Sequence, residues 1–172
     1  MKDNPEIIDI GTGSGCIGIT LAKEIPSSNV IAIDCSEKAL AVAEKNSKNI
    51  GIKNIDFVKA DFLKQTIDLR ADLLVSNPPY ISKGDISTLM ADVKEYEPSK
   101  ALTDNLDGLE FYRVFSKKFD PMIKIDGALI VEVGKDKHPL KAKKIFEKSG
   151  LVNVEMINDY NGDIRVLKVM KC

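Results

Sequence analysis

The sequence predicts an α/β protein, with a mostly parallel sheet of seven strands, helices on both faces and an antiparallel hairpin at the C-terminal end. Three observations carry that prediction. Short apolar runs of strand length alternate with stretches of helical periodicity, the pattern of repeated strand–helix–strand units and so of parallel strands buried on both sides. A glycine cluster, Gly11-Thr12-Gly13-Ser14-Gly15, follows directly on the first such run and opens the first helix. Near the end of the chain, two apolar runs are joined across Asn161-Gly162-Asp163, a strong hairpin signal.

Taken in order, Ile7 to Ile10 reads as a buried strand, beginning at about Glu6, and Cys16 to Ile25 as a helix stopped by Pro26. Ile17, Leu21 and Ile25 recur along that helix as one apolar stripe. Val30 to Ile33 is a second strand ending in Asp34. Ser36 then caps a helix that runs to Gly51, with Leu40, Ala43 and Ile50 inward. Ile55 to Val58 and Leu73 to Val75 supply the third and fourth strands. A helix over about Leu106 to Lys124 turns Leu109, Tyr112, Phe115 and Phe119 inward. The Asp126-Gly127 turn leads into a fifth strand, Ala128 to Val133. Pro139 opens the last helix, which buries Ala142, Ile145 and Phe146, presents a lysine row to solvent and ends at Gly150. Val152 to Ile157 and Ile164 to Val169 are the hairpin strands.

Composition excludes several classes. The chain has 172 residues, 44% hydrophobic and 30% charged, enough for one domain with a core that needs no staples. Net charge is −1 and the sequence pI about 5.9, so no global basic field draws it to nucleic acid or an anionic membrane. Cys16, Cys35 and Cys172 form no C-x-x-C pair, which excludes a disulfide framework or zinc knuckle. Cys16 and Cys35 read as packing residues. No metal is implied, since His138 is the single histidine and reads as the residue before a surface helix. The absence of a long apolar stretch and of a signal-peptide pattern points to a cytoplasmic, non-membrane protein. A single domain over residues 1–172 is the expectation.

The chemistry sits at the strand ends. A glycine loop between strand and helix aims backbone N–H groups at a ligand. Gly13-Ser14-Gly15-Cys16-Ile17-Gly18 formally matches the dinucleotide fingerprint G-x-G-x-x-G, but it starts two residues late. Asp9-x-Gly11-x-Gly13-x-Gly15 describes the stretch better. Asp34, at a strand end, is placed to bind a ribose diol, with a helix-start charge as the bland reading. Asp61-Phe62, after the third strand, offers a carboxylate to an adenine amino group and a ring to pack on the base. The fourth strand delivers Asn77-Pro78-Pro79-Tyr80. Two prolines remove two backbone donors and fix φ near about −65°, leaving a rigid corner rich in acceptors. Such a corner suits a planar amino group, either an amide or the exocyclic amine of a base. A dehydrogenase has no use for it. From Gly84 to Glu110 the chain is acidic, with Lys94 and Lys100 as its cations, and a segment of that length is usually functional or mobile.

These residues together resemble a Rossmann-like class I S-adenosylmethionine methyltransferase. Within that superfamily Asn-Pro-Pro-Tyr occurs in enzymes that methylate planar nitrogens. Glu97-Pro98 with Ala101-Leu102, Asp107-Gly108-Leu109, Glu132-Val133-Gly134 and Asp159-x-x-Gly162-x-x-Arg165 are similar to the HemK/PrmC release-factor glutamine methyltransferases, over Ile7 to Val169. The family's N-terminal helical domain, and the Pro-Arg-Pro-Glu-Thr-Glu segment before the first strand, have no counterpart in this sequence. The resemblance implies S-adenosylmethionine as methyl donor, with S-adenosylhomocysteine as product. It is held by Gly11, Thr12, Gly13, Ser14, Gly15, Asp34, Asp61, Phe62 and Asn77. It implies Asn77, Pro78 and Tyr80 as the catalytic set and adds Pro79 and Glu97 to the acceptor site. The partner it implies is a peptide chain release factor, methylated on a Gly-Gly-Gln glutamine by a monomeric enzyme. Glu132 and Arg165 read as a structural pair. The rivals are an adenine-N6 methyltransferase of DNA or RNA, disfavoured by the acidic mouth and absence of Trp, and a catalytically silent cofactor-binding module.

Overall fold

The computed structural model describes residues 3–88 and 102–172. Its strands are β1 (Glu6–Ile10), β2 (Asn29–Asp34), β3 (Ile55–Lys59), β4 (Ala71–Ser76), β5 (Ile123–Glu132), β6 (Val154–Asn158) and β7 (Ile164–Met170). They hydrogen-bond in the order β3-β2-β1-β4-β5-β7-β6. The α-helices described are α1 (Cys16–Glu24), α2 (Glu37–Ile50), α3 (Glu110–Met122) and α4 (His138–Lys148), with a short 3-10 helix at Asp85–Thr88. β1 runs parallel to β2 and β4, β2 parallel to β3, and β6 antiparallel to β7, which is the predicted seven-stranded sheet with its terminal hairpin. Among the described residues no helix is long and apolar enough to cross a membrane. The chain divides into two compact units. One comprises Met1–Asn77, Asp120–Ile130 and Met170–Cys172, the other Pro78–Phe119 and Val131–Val169.

The first unit is built on β1. Ile7, Ile8, Asp9 and Ile10 are each 1% exposed, because β2 and β4 flank the strand and α1 packs on it. That explains three isoleucines in four positions with no polar–apolar alternation, and each buried isoleucine contributes roughly 1.5–3 kcal/mol. The expected stripe of α1 is corrected. Its buried face is Gly18, Ile19 and Ala22, while Ile17, Leu21 and Ile25 are half-buried. The helix lies close over β1 at Gly18, where a Cβ would come within 3.0 Å of Asp9 Oδ2 and 3.3 Å of Ile55 Cδ1. Small residues therefore face the sheet, and Leu21 and Ile25 pack at the rim of the core cluster.

In α2 the Ser36 hydroxyl accepts the Ala39 N–H at 3.3 Å, and Gly51 ends the helix at φ +78°, as expected. Leu40 and Ala43 are buried, but Ile50 is 54% exposed. The chain leaves the helix at Gly51, and Ile52 takes the place against the core that the pattern assigned to Ile50. β5 begins at Ile123, earlier than the expected Ala128. Asp126-Gly127 is a kink within this strand rather than a turn before it. Asp126 has φ +63°, its N–H donates to the Lys171 carbonyl at 3.0 Å, and Lys171 N–H donates back to the Gly127 carbonyl at 2.9 Å.

In the second unit α3 starts at Glu110, not Leu106. The Asp104 carboxylate accepts from the N–H groups of Leu106, Gly108 and Glu110 at 2.8–3.0 Å and so builds a turn ahead of the helix. Leu109, Tyr112, Phe115 and Phe119 are buried as the spacing predicts. α4 buries Pro139, Ala142 and Phe146, with Ile145 half-buried. β6 starts at Val154 and leaves Val152 exposed.

Candidate active site

The glycine loop leaves β1 with Gly11, Gly13 and Gly15 at φ +71°, +57° and +85°, a region that L side chains rarely enter. Its backbone is fastened from several directions. The N–H groups of Gly11 and Thr12 donate to the Ile33 carbonyl at 2.8 and 3.0 Å, and Gly13 N–H donates to Asp34 Oδ2 at 2.9 Å. Asp9 Oδ2 accepts from the Thr12 hydroxyl at 2.7 Å and from Gly18 N–H at 2.9 Å. Asn46 of α2 donates its side-chain N–H to the Ser14 carbonyl at 2.9 Å.

Two of these fasteners, Asp9 and Asn46, received no role from the sequence. For Asp9 the signal was present, an acid two residues before the glycines on a strand that buries every neighbour. Nothing local marks Asn46, which sits 32 positions from Ser14. Asp9 is 1% exposed, and its Oδ1 is buried with no hydrogen-bond partner among the described residues. Burial pushes its pKa up, against the lowering effect of the bonds from Thr12 and Gly18.

The parallel register brings the strand ends to one edge of this unit. Ile10 pairs with Ile33 and with Ser76, and Asp34 pairs with Lys59. The residues just beyond, namely Gly11, Asp34, Asp61 and Asn77, therefore share the carboxyl edge, where open α/β sheets bind ligands. Ser76 ties two strand ends together, its hydroxyl donating to the Ile10 carbonyl at 2.7 Å. Asp34 is half-buried, with Oδ2 on Gly13 N–H and Oδ1 accepting Ser36 N–H at 2.8 Å. It thus shapes the loop as well as facing the edge, and a carboxylate with two bonds accepted keeps room for more.

Asp61 caps the turn after β3, accepting Leu63 N–H at 3.1 Å and pairing with Lys64 at 3.1 Å. Phe62 is only 4% exposed, so its ring is part of the core. Asn77 is exposed, and its side-chain amide makes no hydrogen bond among the described residues. Cys16 and Cys35 are exposed, which corrects the expectation that they are packing residues. The expected acceptor-site residue Glu97, with Pro98, lies outside the described residues.

The second unit holds Pro78, Pro79 and Tyr80. Pro78 is buried, while Pro79 and Tyr80 are half-buried. The Tyr80 hydroxyl donates to Glu132 Oε1 at 3.1 Å and accepts from Arg165 Nη2 at 3.0 Å. Arg165 Nη2 also donates to Glu132 Oε1 at 2.7 Å, and its guanidinium carbon is 5.5 Å from the Tyr80 ring centroid. Burial, then the Glu132 charge, raises the Tyr80 phenol pKa, with Arg165 working the other way.

His138 is not a surface residue ahead of a helix. It is the first residue of α4, half-buried, with Tyr80 and Tyr112 edge-on at 5.9 and 5.2 Å between centroids. Its Nδ1 accepts Gly134 N–H at 3.1 Å, so Nε2 carries the proton and donates to the Gly108 carbonyl at 3.0 Å. Burial holds its pKa below the usual histidine value, against the raising effect of the Gly108 bond. Tyr112 is fully buried and donates to the Glu132 carbonyl at 2.7 Å.

Comparison with known proteins fits this geometry. The family model "Methyltransferase small domain" matches residues 1–96. A release factor glutamine methyltransferase of Fusobacterium nucleatum is 42% identical over 98% of this chain and 48% of its own length. One from Bacillus subtilis is 38% identical over 94% of this chain and 57% of its own. The chain thus spans about half the length of the curated relatives it matches. Among solved structures, a methyltransferase from Pyrococcus furiosus superposes with TM-score 0.73 at 19% identity, covering 98% of this chain and 75% of that one. The ribosomal protein L11 methylase of Lactobacillus delbrueckii does so with TM-score 0.70 at 20% identity, covering 100% and 73%. The fold is that of the Rossmann-like class I methyltransferases, and the chain belongs to the methyltransferase small domain family.

Proposed function

We propose that this protein transfers a methyl group from S-adenosylmethionine to the side-chain amide nitrogen of a protein glutamine, the Gly-Gly-Gln glutamine of a peptide chain release factor. Support comes first from one observation. Asn77, exposed and without a hydrogen bond among the described residues, stands directly past β4 on the edge that carries the glycine loop and Asp34. The names of the relatives support the choice of acceptor.

The loop fits the donor. Gly11 is exposed at φ +71°, and the position its Cβ would take is open, so backbone is presented where a side chain would otherwise stand. Gly11 to Gly15 and Asp34 would hold it, Asp34 through a ribose diol, with Asp61, the Phe62 backbone and Asn77 completing the site. S-adenosylmethionine supplies a methyl group on a sulfonium when bound. The remaining work belongs to the chain. An amide nitrogen is a poor nucleophile because its lone pair is delocalised. The Asn77 side-chain oxygen and the Pro78 carbonyl, adjacent along the chain, accept its two N–H bonds and so fix its direction. Pro79 keeps the corner rigid, Tyr80 packs on the amide plane, and Glu97 contributes to acceptor binding. Held so, the amide nitrogen would take the methyl group with loss of its bond to sulfur, S-adenosylhomocysteine being the other product, and would then release one proton to water. A monomer acting in the cytoplasm completes the reading.

The test is mass spectrometry on intact release factor and on its Gly-Gly-Gln loop peptide after incubation with S-adenosylmethionine. A gain of one methyl group on that glutamine is expected. No gain there, together with methylation of an oligonucleotide, would replace this reading with adenine methylation.

A further inference from the structure

We infer that Glu132 and Arg165 are positioning residues that set the plane of the Tyr80 ring at the acceptor corner. This rests on the reading just proposed for Tyr80. The three groups form a closed triangle, with the Tyr80 hydroxyl on Glu132 Oε1 at 3.1 Å, Arg165 Nη2 on the same hydroxyl at 3.0 Å, and Arg165 Nη2 on Glu132 Oε1 at 2.7 Å. The phenol thus has a fixed donor direction and a fixed acceptor direction at once, and the guanidinium lies 5.5 Å from the ring centroid.

The rest of the residue is clamped independently. A Cβ at Gly108 would overlap the Tyr80 carbonyl oxygen, so that backbone meets Tyr80 closely, and a Cβ at Gly134 would sit 3.3 Å from Tyr80 Cδ2. His138 stands edge-on to the ring and is itself held at both nitrogens, by Gly134 and Gly108. Side-chain exposures of 20% for Arg165 and 30% for Glu132 mean that both charges lose much of their hydration. An apolar pair of similar volume would stabilise this place as well or better. What an apolar pair cannot do is give a phenol two directional bonds. The charged triangle therefore fits a task of orientation, which a stacking surface for a planar amide requires. Both bonds leave the same nitrogen, Nη2, and lysine at position 165 would keep the charge while ending one bond short of that atom and losing the planar guanidinium beside the ring.

The experiment is a double-mutant cycle on methyl transfer to release factor, with wild type, Arg165→Lys, Tyr80→Phe and both together, alongside ring-labelled tyrosine NMR. Arg165→Lys is expected to lower kcat about tenfold or more while KM for the acceptor moves less than about threefold. The double variant is expected to be no slower than Tyr80→Phe alone, because Arg165 acts through that hydroxyl. Losses that multiply, or a kcat for a folded Arg165→Lys within about twofold of wild type, overturn the inference. If wild type itself transfers no methyl, the proposed function fails, and the ring signals decide the positioning role alone. Tyr80 signals that shift or broaden in Arg165→Lys support it, and signals that stay in place overturn it.

Discussion

The glycine loop and the tyrosine cluster are held in different ways. The loop is a backbone object. Backbone N–H groups of Gly11, Thr12 and Gly13 go to the Ile33 carbonyl and Asp34, the Thr12 hydroxyl to Asp9, and Gly15 N–H to the Thr12 carbonyl, while the Ser14 carbonyl accepts from Asn46. The cluster is a side-chain object, in which Tyr80, Tyr112, Glu132, His138 and Arg165 meet from five places along the chain. A backbone-held loop depends on a few carboxylates and tolerates no Cβ at its close approaches. A side-chain network spreads its dependence over several groups, each of them replaceable at moderate cost.

Breaking this contrast at its strongest point means Asp9→Ala. That change leaves Gly18 N–H and the Thr12 hydroxyl without their acceptor in a buried place. The expected loss is roughly 2–4 kcal/mol in urea denaturation, with binding of S-adenosylhomocysteine abolished. Gly18→Ala comes next, since its Cβ would press on Asp9 Oδ2 and Ile55 Cδ1 at 3.0 and 3.3 Å. Roughly 1–3 kcal/mol is expected by the same measurement. In the cluster, Tyr112→Phe removes one buried bond to the Glu132 carbonyl and costs about 1 kcal/mol. At the bottom of the scale, Glu37→Gln breaks an ion pair with Lys59 that lies fully in solvent, and no measurable change in denaturation midpoint is expected.

Acid sharpens the same contrast, because the two regions answer it with opposite signs. Asp9 has a folded pKa above the unfolded one, so the folded state binds the proton more readily. Its contribution to stability rises as pH falls from that raised value toward about 3.8. His138 has a folded pKa below the unfolded one. Its contribution is lost as pH falls from about 6.5 through that lowered value, when a second ring proton would face Gly134 N–H. The expected outcome is that Asp9→Asn loses the acid gain and His138→Gln loses the acid penalty, both read from denaturation midpoints across pH.

The same contrast explains what was legible in the sequence. Strand–loop–helix order, Ser36 as a cap, Gly51 as a stop and the hairpin at Gly162 are local, and local chemistry specifies them. Asp34 and Asn77 could be placed on one edge because parallel strands of similar length end together. Where tertiary packing decides, the pattern misleads. The stripe of α1 pointed to Ile17, Leu21 and Ile25, yet the buried face is Gly18, Ile19 and Ala22, with the small residues letting the helix come close. Asp126-Gly127 carries the composition of a turn but kinks a strand that Lys171 holds on both sides. The triangle at Tyr80 spans residues 80, 132 and 165, and no local rule joins them, although Glu132 and Arg165 as a pair followed from their strand-end positions.

The most direct measurement is the methylation state of the release factor's Gly-Gly-Gln glutamine after incubation with wild-type protein and with Asn77→Ala. One methyl group on that amide nitrogen from wild type, and none from a folded Asn77→Ala even at saturating S-adenosylmethionine, is the predicted result. An Asn77→Ala protein that methylates the same glutamine at the wild-type rate would contradict it.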